Sequence, residues 1–405
     1  MTDSLGANKN KRLKRSDSSG EERPKLFGYL SEVVSSFEYD RILMGAVFIL
    51  LSLGLVMVYS SSSVYAERVY GDSEFFIKRQ LLWTLLGGGA FFIGALFPGE
   101  YLKGRAGWLM LLALILCGLT LVPGVGIKVG GARRWLDLGL VRFQPSELAK
   151  LAVIVLMAAL LSHRDRVQKK TTTSLLVPVV LAQIPVALVL AEPDLGTALV
   201  IELIVAVMIF SAGLRIKMLL LFAGTALPVF YHFVIGTPFR LQRILGYIDP
   251  WAYRKTVGYQ ITEALIAIGS GGITGVGLGE GKQRLFFLPE AHTDFVFAIL
   301  AEELGLIGVL FVLTLFCLII WRCIKIVLAV GSGFDGYLAI GLTALIAVPA
   351  IFNVAVVTGL LPTKGLPLPL MSFGGSNLLS TLLAMGLLMR IYRETLRPGS
   401  QEASS

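Results

Sequence analysis

Apolar residues gather in ten long runs, at positions 42–59, 77–97, 106–122, 145–161, 175–191, 197–212, 216–235, 293–320, 336–358 and 373–391. Short polar, glycine-rich or proline-rich connections separate most of them. Runs of about 17–25 residues match the length of helix that crosses the hydrocarbon core of a bilayer. Lipid offers the backbone no hydrogen-bond partners, so each run predicts a helix that satisfies its own peptide groups. The fourth and sixth runs are short, which predicts little tilt or an end short of one face. The expected fold class is an all-α polytopic membrane protein with ten transmembrane helices. Composition agrees: of 405 residues, 55% are hydrophobic and only 16% charged, against about a quarter charged in a soluble chain.

Charge orients these spans. With the N-terminus inside, the inner segments hold 21 of the 36 lysines and arginines. The outer segments are longer, so their basic density is lower, and both termini are expected in the cytoplasm. Residues 1–38 carry Lys9, Lys11, Arg12, Lys14 and Arg15 and predict a disordered tail drawn to the anionic inner leaflet. No apolar segment with a small-residue cleavage site follows closely, so no removable signal peptide is expected. The membrane domain then covers 39–395, with an external loop at about 236–292, and 396–405 form a second cytoplasmic tail. Cys117, Cys317 and Cys323 lack metal-ligand spacing. His163, His232 and His292 are too few for a multi-histidine metal site.

Three outer segments run against the usual charge bias. They carry Lys128, Arg133, Arg134 and Arg142; Arg240, Arg243, Arg254, Lys255, Lys282 and Arg284; and Lys364. Cations in that position fit an anionic ligand or lipid headgroups. The sharpest feature is 288–295, Leu-Pro-Glu-Ala-His-Thr-Asp-Phe. It places Glu290, His292 and Asp294 at the mouth of an apolar run. A carboxylate there is costly unless it faces water, a partner or a substrate. On a continuous helix Glu303 points away from Asp294, and Glu302 only loosely shares its face. Both, like Glu202, read as structural partners of other helices.

Further polar motifs border the same outer face. Residues 133–143 alternate like an interfacial hairpin or short helix, and Pro145 suits the first turn of the next helix. Glu147 and Lys150 share a face there, either as a local ion pair or as the wall of a polar cavity. Asp194, in Glu-Pro-Asp-Leu-Gly-Thr, can cap the following helix while also facing that cavity. The stretch 269–281 holds seven glycines. No βαβ pattern precedes it, so a nucleotide loop is not expected, and nucleic acid is not an expected partner. A mobile loop packed closely on the membrane face is the reading. After Asn353, residues 359–377 hold Pro362, Pro367 and Pro369, which forbid regular helix. Irregular backbone at membrane depth must line protein or a water-filled cavity. Lys364 in this segment is a buried-cation candidate with an anionic partner.

Taken together, 131–150, 192–197, 288–305 and 353–376 resemble the SEDS family of polytopic cell-wall proteins, the FtsW/RodA/SpoVE group. The resemblance runs from about Tyr39 to Arg393. Ala291 and the triplet Thr363-Lys364-Gly365 are most similar to its cell-division branch. The resemblance implies a ten-span peptidoglycan glycosyltransferase acting on lipid II at the septum of the inner membrane. It implies that Asp294 is catalytic and that Glu147, Lys150 and Asp194 line the cavity. Arg133, Arg243, His292, Lys364, Ser372 and Ser376 complete the expected substrate-binding set, with His292 a competing base. A class B penicillin-binding transpeptidase and other division-complex membrane proteins are the implied partners. A divalent cation, Mg or Mn, could share the charge of the departing pyrophosphate. Two other functions fit the same motifs: a lipid II flippase, and a non-catalytic scaffold of the division complex.

Overall fold

Nine of the ten apolar runs are helices in the computed structural model of the chain, which describes residues 40–129, 131–137, 139, 141–166, 175–213, 242 and 245–396. The tail 1–38, the expected span 216–235 and Arg243 lie outside the described residues. The described residues belong to one unit, Glu38–Ser405. In chain order the helices are α1 (Arg41–Tyr70), α2 (Phe75–Leu96), α3 (Gly99–Gly104), α4 (Ala106–Leu121), α5 (Pro145–Arg166), α6 (Leu176–Ala191) and α7 (Leu195–Ser211), then α8 (Tyr259–Gly271), α9 (Val296–Val330), α10 (Phe334–Val357) and α11 (Gly375–Leu396). Four of them, α1, α5, α9 and α10, are long and apolar enough to cross a membrane, and α4, α6 and α7 are shorter apolar helices. The chain is a multi-pass membrane protein.

The all-α expectation needs one correction. Residues between α4 and α5 form a three-stranded antiparallel sheet, β1 (Gly126–Val129), β2 (Ala132–Asp137) and β3 (Arg142–Phe143). Its register sets Lys128 opposite Arg133 and Leu136 opposite Phe143. The alternation at 133–143 is thus a hairpin.

Local chemistry sets the helix ends. Asp40 caps α1 by accepting the Ile42 and Leu43 N–H groups, both at 3.1 Å. Gly71, with φ 69°, closes the other end through a hydrogen bond to the Glu67 carbonyl. The helix runs past the apolar stretch because the hydroxyls of Ser61 and Ser62 bond back to the Met57 and Val58 carbonyls at 2.7 and 2.6 Å. Their polarity is satisfied inside the helix.

Packing then sorts the helices. Helix α5 is central, with 78% of its apolar window buried, whereas α9 is peripheral, with 28%. Polar groups carried by α5 are therefore interior groups. Helices α2 and α11 make the most extensive contact. A Cβ at Gly386 would lie 2.1 Å from the Phe91 carbonyl oxygen, and one at Gly94 2.7 Å from that of Leu383. Small residues that let two backbones approach are the usual source of helix association in lipid.

Helix α9 is not continuous. Gly305 breaks it, with φ 64° and ψ −164°. The glycine-rich stretch fills the break. Val276 and Gly277 N–H donate to the Glu302 and Glu303 carbonyls at 3.0 and 3.1 Å, and Leu306 and Ile307 N–H donate to the Gly272 and Ile273 carbonyls at 3.0 and 3.2 Å. The two helical bonds that would join 302 to 306 and 303 to 307 are thus replaced by four. The expected mobile loop is instead pinned at this point, because a broken helix in lipid must recover its hydrogen bonds from somewhere.

Candidate functional site

The irregular segment between α10 and α11 is the hub of the site. Its prolines cannot donate backbone hydrogen bonds, and Leu370 sits at φ 66°. What holds it is its neighbours. Buried Asn353 of α10 donates from Nδ2 to the Asp294 carbonyl at 2.8 Å and to the Leu366 carbonyl at 2.7 Å. Phe373 N–H donates to the His292 carbonyl at 2.9 Å. The stem that carries Asp294 is therefore tied twice to this segment. The Asp294 carboxylate lies against Gly365: a Cβ there would be 2.7 Å from Oδ2.

Others of the expected residues gather at this segment and at the start of α11, which follows it. Lys150 Nζ lies 2.8 Å from Glu147 Oε1, and both side chains are buried. The Glu147 Oε2 atom also accepts from Ser380 Oγ at 2.7 Å and Asn377 Nδ2 at 3.4 Å, which joins α5 to α11. The local ion pair thus also links two helices. Burying two charges costs several kcal/mol each unless they are paired and hydrogen-bonded, as they are here. Asp194 caps α7 through Thr197 N–H at 3.1 Å and accepts the Thr197 hydroxyl at 2.9 Å. It also accepts from Gln144 Nε2 at 3.4 Å. Gly196 beside it abuts the Leu366 side chain. Ser376 Oγ accepts the Gln144 N–H at 2.9 Å. Ser372 works within the segment: its Oγ accepts the Leu368 N–H at 2.8 Å, and its carbonyl accepts Gln80 Nε2 at 3.3 Å.

The arginine that reaches this cluster is Arg134. Its Nε is 3.8 Å from Asp194 Oδ2, and its NH2 donates to the Pro193 carbonyl at 2.6 Å. Strand alternation turns Arg133 to the opposite face of β2. Lys364 is half-buried beside Gly365. His292 is held among aromatic rings, with centroids 4.3 Å from Phe76 and 5.9 Å from both Tyr65 and Phe373. Burial there pushes its pKa below the usual histidine value, against the opposing pull of the Glu290 charge. An enclosed ring of lowered basicity suits support of the loop better than proton transfer.

Sequence reasoning missed Gln144, Gln80 and Ser380. They are neutral polar residues with no charge to announce them. Among the described residues no three histidine, cysteine, aspartate or glutamate side chains converge as metal ligands.

Residues 41–397 match the FTSW_RODA_SPOVE family model, described as cell cycle protein. The chain is 40% identical over 353 residues to a probable peptidoglycan glycosyltransferase FtsW of Geobacter sulfurreducens, covering 87% of this chain and 95% of that one. It is 43% identical over 357 residues to one so named from Thioalkalivibrio sulfidiphilus, covering 87% and 89%. Among solved structures it resembles a chain from a peptidoglycan synthase complex that coordinates polymerization and crosslinking, with TM-score 0.73, 31% identity and coverage of 89% and 99%. It also resembles the rod shape determining protein RodA of Thermus thermophilus, with TM-score 0.65, 29% identity and coverage of 89% and 98%.

Proposed function

The chain belongs to the FtsW/RodA/SpoVE family of cell cycle proteins, and from that premise we propose a peptidoglycan glycosyltransferase in which Asp294 is the general base. The substrate is lipid II, and the product is a glycan strand of the division septum. The relatives named for this activity support the reaction class. The observation that carries the residue assignment is convergence. Asp294 lies against Gly365 of the irregular segment between α10 and α11, Gly196 beside Asp194 lies against Leu366 of the same segment, and the Glu147–Lys150 pair is bonded to Asn377 and Ser380 at the start of α11, which follows it.

The chemistry follows from these positions. The 4-hydroxyl of one sugar attacks the anomeric carbon of the growing strand, and undecaprenyl pyrophosphate leaves. A sugar hydroxyl is a weak nucleophile, and a positioned base accelerates such a step by about 10²–10⁴-fold. Asp294 takes the hydroxyl proton. A single in-line displacement inverts the anomeric centre. The departing pyrophosphate needs cations. Lys150 is already neutralised by Glu147 at 2.8 Å. Lys364 and the rim residue Arg134, which holds Asp194 at 3.8 Å, share that role with it, and Arg243 lies outside the described residues. No step is routed through a divalent cation, because the described side chains form no cage for one.

The protein sits in the inner membrane at the septum with both termini in the cytoplasm. It works beside a class B penicillin-binding transpeptidase and other division-complex membrane proteins. The synthase complex among its structural relatives supports a crosslinking partner. The test is polymerisation of labelled lipid II by the purified full-length chain with its transpeptidase partner. Asp294→Asn should lower the polymer yield by about 10²-fold or more while the protein stays folded. Normal yield from that variant would sink the base assignment. His292→Gln should keep most of the activity.

A further inference from the structure

Two carboxylates outside the site stand at the break in α9. Glu302 and Glu303 are 2% and 1% exposed. Glu303 accepts the Ser60 hydroxyl of α1 on both oxygens, at 2.6 and 2.7 Å. Arg284 Nε lies 3.9 Å from Glu303 Oε1, and its NH1 donates to the Ser60 carbonyl at 2.8 Å. Further N–H groups of Arg284 donate to the Gly279 and Gly281 carbonyls. Glu302 accepts the Lys282 N–H at 2.8 Å and the Gln283 N–H at 3.3 Å. The chain from 282 to 302 is thereby closed into a loop by a carboxylate, and Asp294 lies inside it.

The first part of α9, residues 296–304, therefore stands apart from the rest of the helix. It is far shorter than the roughly 12–15 residues an isolated helix needs for marginal stability. It borrows its alignment from the Gly272–Gly277 insert, from Ser60 and from Arg284. Asp294 immediately precedes it. On a continuous helix Glu303 would simply point away from Asp294. Residues 296–304 are unbroken helix, so Glu303 still points away from Asp294 and acts on it only by fixing where this short segment lies.

We propose that Glu303, through its link to Ser60 and Arg284, is a positioning residue that sets where Asp294 stands. The proposal rests on Asp294 being the base. Displacing a reacting group by about 1 Å can cost up to 10²-fold in rate. A positioning defect therefore appears in kcat while substrate binding by the cavity and segment persists.

The full-length chain with its transpeptidase partner is assayed on lipid II as wild type, Glu303→Gln, Ser60→Ala, the double variant and Asp294→Asn. Rates are normalised to folded protein. Glu303→Gln should lower kcat about tenfold with KM within about twofold. Ser60→Ala, the milder change, should lower kcat about threefold, and the double variant should be no worse than Glu303→Gln, because both act through one link. Hydrogen exchange should quicken together at 276–277, 306–307 and 290–296, a readout that does not depend on which residue is the base. If Asp294→Asn is dead while both clamp variants keep wild-type kcat, the positioning proposal is overturned and the base assignment stands. A fall in melting temperature with no change in kcat overturns it in the same way. If Asp294→Asn is fully active, the base assignment fails first. Unchanged exchange at 290–296 would then sink the clamp independently.

Discussion

Gly365 decides how close the irregular segment can come to Asp294. A Cβ placed there would sit 2.7 Å from Oδ2 and 3.5 Å from the carboxyl carbon. Gly365 is exposed and its φ is not positive, so an alanine would fold in place. The carboxylate, being the movable end, must then shift by a few tenths of an ångström or more. Gly365→Ala should lower the polymerisation rate by about 10- to 100-fold with little change in melting temperature. An unaltered rate would mean the carboxylate has slack that the proposed mechanism does not allow. The Glu147–Lys150 pair makes the opposite case, in which stability and activity move together. Removing one partner strands a buried charge, at a cost of about 3–5 kcal/mol. Glu147→Gln and Lys150→Met should each melt markedly earlier than wild type. The double variant should recover much of that stability, since no lone charge remains, without recovering activity. If each single variant melted normally, the pair would not be the buried ion pair described.

Helices were legible wherever lipid enforces them. Each of the nine described runs appears with ends within a few residues, except where polar residues continue the helix. Helix α1 shows why such ends are missed: Ser61 and Ser62 look like a loop but back-bond to Met57 and Val58. The break at Gly305 left no trace in hydropathy, because apolar residues continue through Leu304 and Leu306. Helix α8 was hidden in a loop read only for its glycines. Those glycines differ sharply from one another, and the difference can be measured. A Cβ at Gly269 would meet no atom within 4 Å, whereas one at Gly275, with φ 82°, would lie 2.1 Å from the Glu303 carbonyl oxygen. Gly269→Ala, within α8, should be neutral or stabilise by up to about 1 kcal/mol through helix propensity. Gly275→Ala must adopt a left-handed backbone, costing about 1–2 kcal/mol before the clash is counted. Thermal melting of the two variants separates them. Equal behaviour would mean the glycine-rich stretch does not pack into the break. The site was half-legible for a related reason. Asp294, Glu147, Lys150 and Asp194 are charges in apolar surroundings and so announce themselves. Arg134 could be chosen over Arg133 only from strand register, and Gln144 and Asn353 only from contact.

The molecule has two chemically distinct ends. At one, the starts of α5, α7 and α9 place Glu147, Asp194 and Asp294 around the segment between α10 and α11 and the start of α11. Tyr247 of the external loop reaches the same segment, donating its hydroxyl to the Leu360 carbonyl at 2.9 Å. At the other end the charges are spent on each other. Asp40 accepts from Arg322 Nε at 2.6 Å, Asp165 accepts the Tyr337 hydroxyl at 2.7 Å, and Arg390 bridges Asp335 and Glu394. Ion pairs of this kind staple helix ends, and the proposed chemistry belongs to the first end. In the proposed orientation, the excess of lysine and arginine in the segments joining the stapled ends puts those ends in the cytoplasm. The proposed lipid II polymerisation then falls on the outer face, where the strand is needed. This can be read by labelling. In a Cys317→Ser background, which removes the exposed native thiol, single cysteines replace Trp251 near Tyr247 and Leu396 at the end of α11, positions 57% and 47% exposed. A membrane-impermeant maleimide added to spheroplasts should modify the cysteine at 251 at once. The one at 396 should react only after the membrane is permeabilised. The reverse pattern would put Asp294 in the cytoplasm, where a base for extracytoplasmic glycan synthesis has no acceptor to deprotonate.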